Sequence, residues 1–266
     1  PTGQYVSPAM FGANAVFSQT DHGVPTAEYQ DAANALGVQS IRFGGGQADL
    51  DPGTVGPDGH VAVDGETAIN IVAMPNGMLR PELTDFLDWC RAQTTAGDTT
   101  SAILIIPTKH LGTSDYLRFA ADIETFVETV MRDYGDVIRA FQVGNEYWPM
   151  GETAYGQKAS VASVAIANGL AASGIAKDDQ PDILVQMATA GNEGSEFPGV
   201  PGVADFSDRN TAANAAIIDQ LSPEARMAID GVTEHYYYNK PVHAFASNDA
   251  EMNHIHQHYE EWRQAL

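Results

Sequence analysis

Arg139-Ala-Phe-Gln-Val-Gly-Asn-Glu-Tyr-Trp148 is the stretch on which the reading of this chain turns. Residues 137–143 form a short, largely apolar run, interrupted by Arg139 and Gln142 and preceded by Arg132, Asp133 and Asp136. Such a run predicts a mostly buried β-strand. It stops at Gly144, sets Asn145 beside Glu146, and continues into Tyr147 and Trp148. Buried parallel strands deliver polar groups at their C-terminal ends, where the loops open to solvent. A carboxyl there, next to an amide and aromatic surface, suits a general acid. The ordinary alternative is a loop glutamate that caps the following helix.

The pattern around this strand repeats in kind. Toward the N-terminus, residues 102–106 are a pure apolar run and predict a strand; 39–43 reads as a second strand, and 8–17 as a first with Gly12 and Asn14 near its exit. Toward the C-terminus, 183–187 and 232–238 read the same way. Helical spacing fills the gaps: 26–36 with Thr26 as cap and Gly37 as stop, 81–92 from Pro81, 116–134, 153–173, 210–221 with 223–229, and 248–266. Residues 51–77, rich in Pro-Gly and Asp-Gly turns, predict an excursion with a small hairpin over the mouth of the domain. Residues 193–209 predict a long loop. Strand and helix thus alternate six times, the pattern of an α/β chain with a parallel sheet and right-handed crossovers. Two closures compete: an open doubly wound sheet, and a TIM-type (β/α) barrel. Six βα units occupy all 266 residues, so a barrel is expected to be incomplete here by its last two units. The expectation is a single domain over 1–266, truncated at its C-terminus.

Composition narrows the partners. Thirteen basic residues against 35 acidic ones leave a net charge of −22. Such a surface repels phosphate backbones and anionic membranes, so neither nucleic acid nor a membrane is an expected partner. The acid excess suits solvation in salty water or crowded secretion. Cys90 stands alone on a helical pattern and reads as a small buried apolar residue. No apolar run approaches the ~18 residues of a membrane span. The opening Pro1-Thr2-Gly3 has neither the charged nor the apolar region of a leader, which is either absent or already removed. Gly44-Gly-Gly-Gln-Ala-Asp49 permits close backbone approach to a ligand, but no Lys-Ser/Thr follows, so a P-loop is rejected.

Polar residues gather at the strand ends: Asn14, Arg42 with Asp49, Lys109 with His110, Asn145 with Glu146, Asn192, and His235 with Tyr237. On a parallel sheet these ends converge on one mouth. Each has a plainer reading alone. Arg42 is a structural ion-pair partner of Glu146 or Asp49, His110 a satisfied loop histidine, Tyr237 a core aromatic. Asp49, Asp51, Asp58 and Asp64 lack the spacing of a calcium loop and read as solvated acids. His254, His256 and His258 invite a zinc reading, but only His254 and His258 share a helix face and no third ligand is evident. A solvated face is expected instead. No metal and no cofactor is called for.

Gly144-Asn145-Glu146 at the end of a fourth strand resembles the acid/base signature of the clan of retaining (β/α)8 glycoside hydrolases. Ile41-Arg-Phe-Gly-Gly-Gly-Gln-Ala-Asp49 is similar to the second-strand segment of the heparanase and β-glucuronidase family, with related segments in α-L-arabinofuranosidases and β-xylosidases. His110-Leu-Gly-Thr-Ser-Asp115 and His235-Tyr-Tyr237 look like that family's third and sixth strand exits. The resemblance implies a retaining glycosidase acting on a polysaccharide or glycoside, with Glu146 as general acid/base. Asn145 would bond the sugar 2-hydroxyl, and Tyr147, Trp148 and Tyr237 would offer apolar faces to sugar rings. Arg42 would hold the carboxylates in place, with Asp49, His110, Asn192 and His235 lining the mouth. It also implies an extracellular or periplasmic location.

The chain departs from that family in one respect. The family's nucleophile ends a seventh strand, and nothing after residue 248 reads as one. It is expected beyond Leu266, with Glu234 the other candidate, although alternation turns Glu234 away from His235. The 266-residue chain alone is therefore expected to be inactive, because double displacement needs a second carboxylate about 5–5.5 Å from the first. The open first and sixth strands suggest self-association. A non-catalytic carbohydrate-binding module on a degenerate barrel is the alternative, and a metal-dependent hydrolase using His110 and His235 a third reading. The sugar itself is not legible: the acidic field disfavours an acidic glycan, while Arg42, Lys109 and Lys240 act against that.

Overall fold

The computed structural model describes residues 12–15, 19–21, 23–44, 79–95, 100–108, 116–189, 194–197, 206–235 and 245–266. Six parallel strands make one sheet: β1 (Gly12–Ala15), β4 (Ser40–Phe43), β5 (Ser101–Ile106), β6 (Ile138–Val143), β7 (Asp182–Gln186) and β8 (Gly231–Thr233). A short antiparallel hairpin, β2 (Thr20–Asp21) with β3 (Val24–Pro25), stands apart from it. The spatial order of the six strands is their order in the chain. A doubly wound sheet reverses direction at a switch point, and no reversal occurs among these strands. Right-handed crossovers in an order that never reverses put every connecting helix on one face. The sheet accordingly curls as an arc, with helices outside, and the open-sheet alternative falls away.

The outer layer comprises α1 (Ala27–Leu36), α2 (Pro81–Thr95), α3 (Tyr116–Tyr134), α4 (Glu152–Ala172), α5 (Phe206–Ile218), α6 (Pro223–Ala228) and α7 (Asn248–Ala265). Local signals set several ends. Thr26 takes the N–H of Tyr29 at the start of α1, and Gly37 closes it at φ 66°. Ser222 and Pro223 open α6, and Ser247 caps α7. Helix α4 sits centrally, packed against α3 on one side and α5 and α6 on the other. Its small residues follow from that position. A Cβ on Gly169 would lie 2.7 Å from Val127 Cβ, and one on Gly156 would lie 2.6 Å from the Ile217 carbonyl.

Strand alternation divides the sheet's faces. Ile41, Phe43, Leu104, Ile106, Phe141 and Val143 join the core beneath the helices. Phe43 stacks on Phe86 at 3.8 Å, and Phe141 meets Phe126 edge-on. Cys90 is wholly buried there, and burial pushes its thiol up, as its apolar setting predicts.

Several expected boundaries move. Helix α5 starts at Phe206, not at 210, because Phe206 packs edge-on against Phe245 and beside His254. The sixth sheet strand is described as far as Thr233, opposite Gln186 at the end of its partner β7, and residues 236–238 of the expected run lie outside the described residues. The 51–77 excursion lies outside the described residues. Among the described residues no helix is long and apolar enough to cross a membrane.

Candidate functional site

The opposite face of the sheet, toward its C-terminal end, is polar. Arg42 on β4 organises it. Its Nε donates to Gln142 Oε1 at 2.7 Å, one terminal nitrogen to Asn145 Oδ1 at 2.7 Å, and the other to Asn14 Oδ1 at 3.3 Å. Gln142 is buried on β6 and turns its own amide onto the Gly144 carbonyl at 2.9 Å. One guanidinium thus ties the ends of β1, β4 and β6 together. A planar fork with fixed donor directions suits that task; a flexible ammonium would not. The described bonds of Arg42 run to amides, which fix the buried Asn145 carboxamide in orientation.

Glu146 follows directly. Gly144 turns the chain at φ 75°, where an added Cβ would lie 2.7 Å from Thr108 Oγ1 and 3.0 Å from the Tyr155 ring. Glu146 itself adopts φ 46°, the sole non-glycine among the described residues at positive φ. Its N–H donates to Gln186 Oε1 at 2.8 Å, across from the end of β7. Its carboxyl meets His235 Nδ1 at 3.5 Å, with side-chain exposures of 31% and 16%. Residues from β6 and from the exit of β8 are therefore brought face to face. Left-handed backbone at a residue with a Cβ is uncommon and concentrates at functional sites.

A second layer supports this turn. The Tyr155 hydroxyl, from α4, donates to the Val143 carbonyl at 2.7 Å and accepts from the Gln186 N–H at 2.8 Å, bridging the ends of β6 and β7. Tyr147 stacks on Tyr155 with centroids 4.4 Å apart and donates its hydroxyl to Glu152. Glu152 is wholly buried and also accepts from Ser195 Oγ at 2.8 Å and the Glu196 N–H at 2.7 Å. Burial, then the Glu152 charge, pushes the Tyr147 hydroxyl well up. The buried Lys158 donates to the Thr108 carbonyl at 2.5 Å and so holds the exit of β5. Trp148 opens a single 3-10 turn, Trp148–Met150, and packs against the core. A Cβ on Gly194 would sit 2.1 Å from its carbonyl.

Of the residues singled out in the sequence, Asn14, Arg42, Asn145, Glu146 and His235 converge here. Asp49, Lys109, His110, Asn192, Tyr237 and Lys240 lie outside the described residues. Two expectations are corrected. Tyr147 offers no face to a ligand, because it is wholly buried between Tyr155 and Glu152. His254 and His258 do not form a solvated face: they are 4% and 1% exposed. His258 Nδ1 lies 2.7 Å from Glu261, His258 Nε2 lies 2.9 Å from His254 Nδ1, and α5 covers them with Ser207, Asn210 and Asn214. Burial alone would raise the Glu261 carboxyl, but bonds from Thr211, His258 and Asn214 hold it below the usual range. Among the described residues no group of three or more potential ligands is placed to hold a metal.

Glu234 accepts from Thr189 Oγ1 at 3.3 Å and lies close enough to Tyr259 of α7 to push up that phenol, after burial. It therefore lies on the side of α7, away from the Glu146–His235 pair. Burial pushes its carboxyl up to about 7, against the opposing pull of Thr189 and the His235 N–H.

Gln142, Tyr155 and Gln186 were missed as site residues. Gln142 and Gln186 carry a usable signal: each is a lone amide in a largely apolar strand run, three residues before a polar residue, Asn145 or Thr189. Tyr155 carried none, since an aromatic on a buried helix reads as core.

No family model matches this chain, and no curated protein matches it. Among solved structures it is similar to a family 51 α-L-arabinofuranosidase from Bifidobacterium longum, with 13% identity and a TM-score of 0.46. That match covers 98% of this chain and 53% of the other, so the chain spans about half the length of that structure.

Proposed function

We propose that this chain is a carbohydrate-active hydrolase domain, an arc of a (β/α)8 barrel in which Glu146 is the general acid/base of a retaining glycosidase. The observation that carries this reading is the presentation of Glu146. It stands at the C-terminal end of an inner strand, in left-handed backbone, partly exposed and facing His235. Arg42 fixes Asn145 beside it. In this reading Glu146 gives its proton to the leaving oxygen, then takes one from the water that resolves a glycosyl-enzyme ester. Asn145 bonds the sugar 2-hydroxyl, Trp148 supplies an apolar edge, and His235 orients the Glu146 carboxyl. The substrate class is a neutral or weakly charged glycoside or polysaccharide.

One observation favours the non-catalytic binding module. The buried Glu152 and the half-buried Glu234 are engaged away from Glu146, by Tyr147 and Ser195 and by Thr189. The two readings separate in one assay series on the full-length gene product. Aryl arabinofuranosides, xylosides and glucuronides are offered to wild type and to Glu146→Gln. Acid/base catalysis predicts a loss of about 10²–10⁴-fold in kcat on poor leaving groups, a smaller loss on activated ones, and partial rescue by azide. Wild-type turnover by Glu146→Gln would sink the assignment. Saturable oligosaccharide binding without turnover, weakened by Trp148→Ala, would establish the binding module.

A further inference from the structure

We propose that Gln186 is a positioning residue for Glu146: its side-chain carbonyl holds the Glu146 backbone in the left-handed conformation that aims the carboxyl at His235. For its catalytic consequence this rests on the role proposed for Glu146. Gln186 is the last residue of β7 and is 0% exposed. Its Oε1 takes the Glu146 N–H at 2.8 Å. Exchanging its amide oxygen and nitrogen would set two donors against each other, so the Glu146 N–H fixes the amide's orientation.

The other half of that amide argues against a merely structural role. Gln186 Nε2 is buried and finds no hydrogen-bond partner among the described residues. A buried donor without a partner is costly, and a leucine or methionine here would avoid it. What an apolar residue cannot do is accept the Glu146 N–H. That N–H lies beyond the end of β6 at Val143, and its acceptor comes from the neighbouring strand β7. The strand end that carries Gln186 is itself pinned, since Tyr155 takes its N–H and donates to Val143. The acceptor is therefore preorganised on two adjacent strands, the arrangement that precise placement of a reacting group needs.

The test uses Gln186→Met, which keeps length and removes the acceptor, and Gln186→Glu, which keeps an acceptor oxygen. Two quantities are read: hydrogen exchange of the Glu146 amide by NMR, and kcat against KM on an aryl glycoside. The expectation for Gln186→Met is loss of Glu146 amide protection, with kcat down about 10- to 100-fold and KM within about threefold. Gln186→Glu is expected to keep the protection. In a Glu146→Gln background, Gln186→Met should cost nothing further. If Gln186→Met does not fold, Gln186→Asn withdraws the acceptor by one methylene and serves in its place. A protected Glu146 amide with kcat within about twofold of wild type would overturn the proposal, as would additive losses in the double variant. Failure of the acid/base reading is seen separately, as full turnover by Glu146→Gln, and leaves the amide-exchange result to decide the hold of Gln186.

Discussion

Two glutamates, one at the exit of β6 and one at the exit of β8, show how far one residue's surroundings set its chemistry. Glu146 is turned by its own backbone toward His235, whereas Glu234 lies against Thr189 and near Tyr259 of α7. Burial raises Glu234 from 4.5 to about 7. The folded protein therefore holds a proton there that the unfolded chain releases over that interval. Its contribution to stability is fully present below pH about 4.5 and is lost as pH rises through about 7. Glu234→Gln, which is neutral throughout, is expected to match wild type in thermal stability near pH 4.5. At pH 8 it should be more stable by on the order of 1–3 kcal/mol. Melting temperatures of both proteins across this range check it; parallel curves at all pH values would contradict the assignment.

At the scale of elements, the contact between α5 and α7 rests on polar groups in a buried setting. Asn214 is its hub. Its Oδ1 accepts from the Ala188 N–H at 2.8 Å and from Trp262 Nε1 at 2.9 Å, and its Nδ2 donates to Glu261 at 3.1 Å. Ala188 lies two residues beyond the end of β7, so this hub joins two helices to the strand end that carries Gln186. With Nδ1–H of His258 given to Glu261, His258 Nε2 is left to accept from His254 Nδ1. Asn214→Leu keeps the volume and strips the partners from Ala188 and Trp262. It is expected to cost about 2–4 kcal/mol in urea denaturation, because buried donors left without acceptors carry their full desolvation penalty. A loss under about 0.5 kcal/mol would mean that this network is not what docks α7.

For the whole molecule, charge is the governing quantity. A net charge of −22 on 266 residues opposes the compact state through self-repulsion, and added salt screens it. Raising NaCl from about 0.05 to about 1 M is expected to raise the melting temperature steadily. An unchanged or falling melting temperature would show that the acids are locally compensated. The same charge bears on association. Among the described residues, β1 pairs only with β4 and β8 only with β7, which makes them the two outer strands of the described sheet. We propose that these edges support self-association once repulsion is screened. Sedimentation velocity at both salt levels tests it: a single concentration-independent species at high salt would exclude it.

The alternation of apolar runs, the caps and the polar strand exits are local properties, carried by side-chain periods of two and 3.6, so they were legible in the linear chain. From them followed the six parallel strands, the helix between each pair, and the candidacy of Arg42, Asn145, Glu146 and His235. Strand order was not legible, because the same alternation serves a reversing sheet and an arc equally well. Nor were the bonds that make the site: Arg42 meets Gln142 across 100 residues of sequence, and Glu146 meets Gln186 across 40. Such pairs depend on sheet register, which no local period encodes. The same reason explains Tyr147 and the histidines of α7. Whether an aromatic or an imidazole faces a ligand, water or a neighbouring helix depends on what packs against it, and only the tertiary structure decides that.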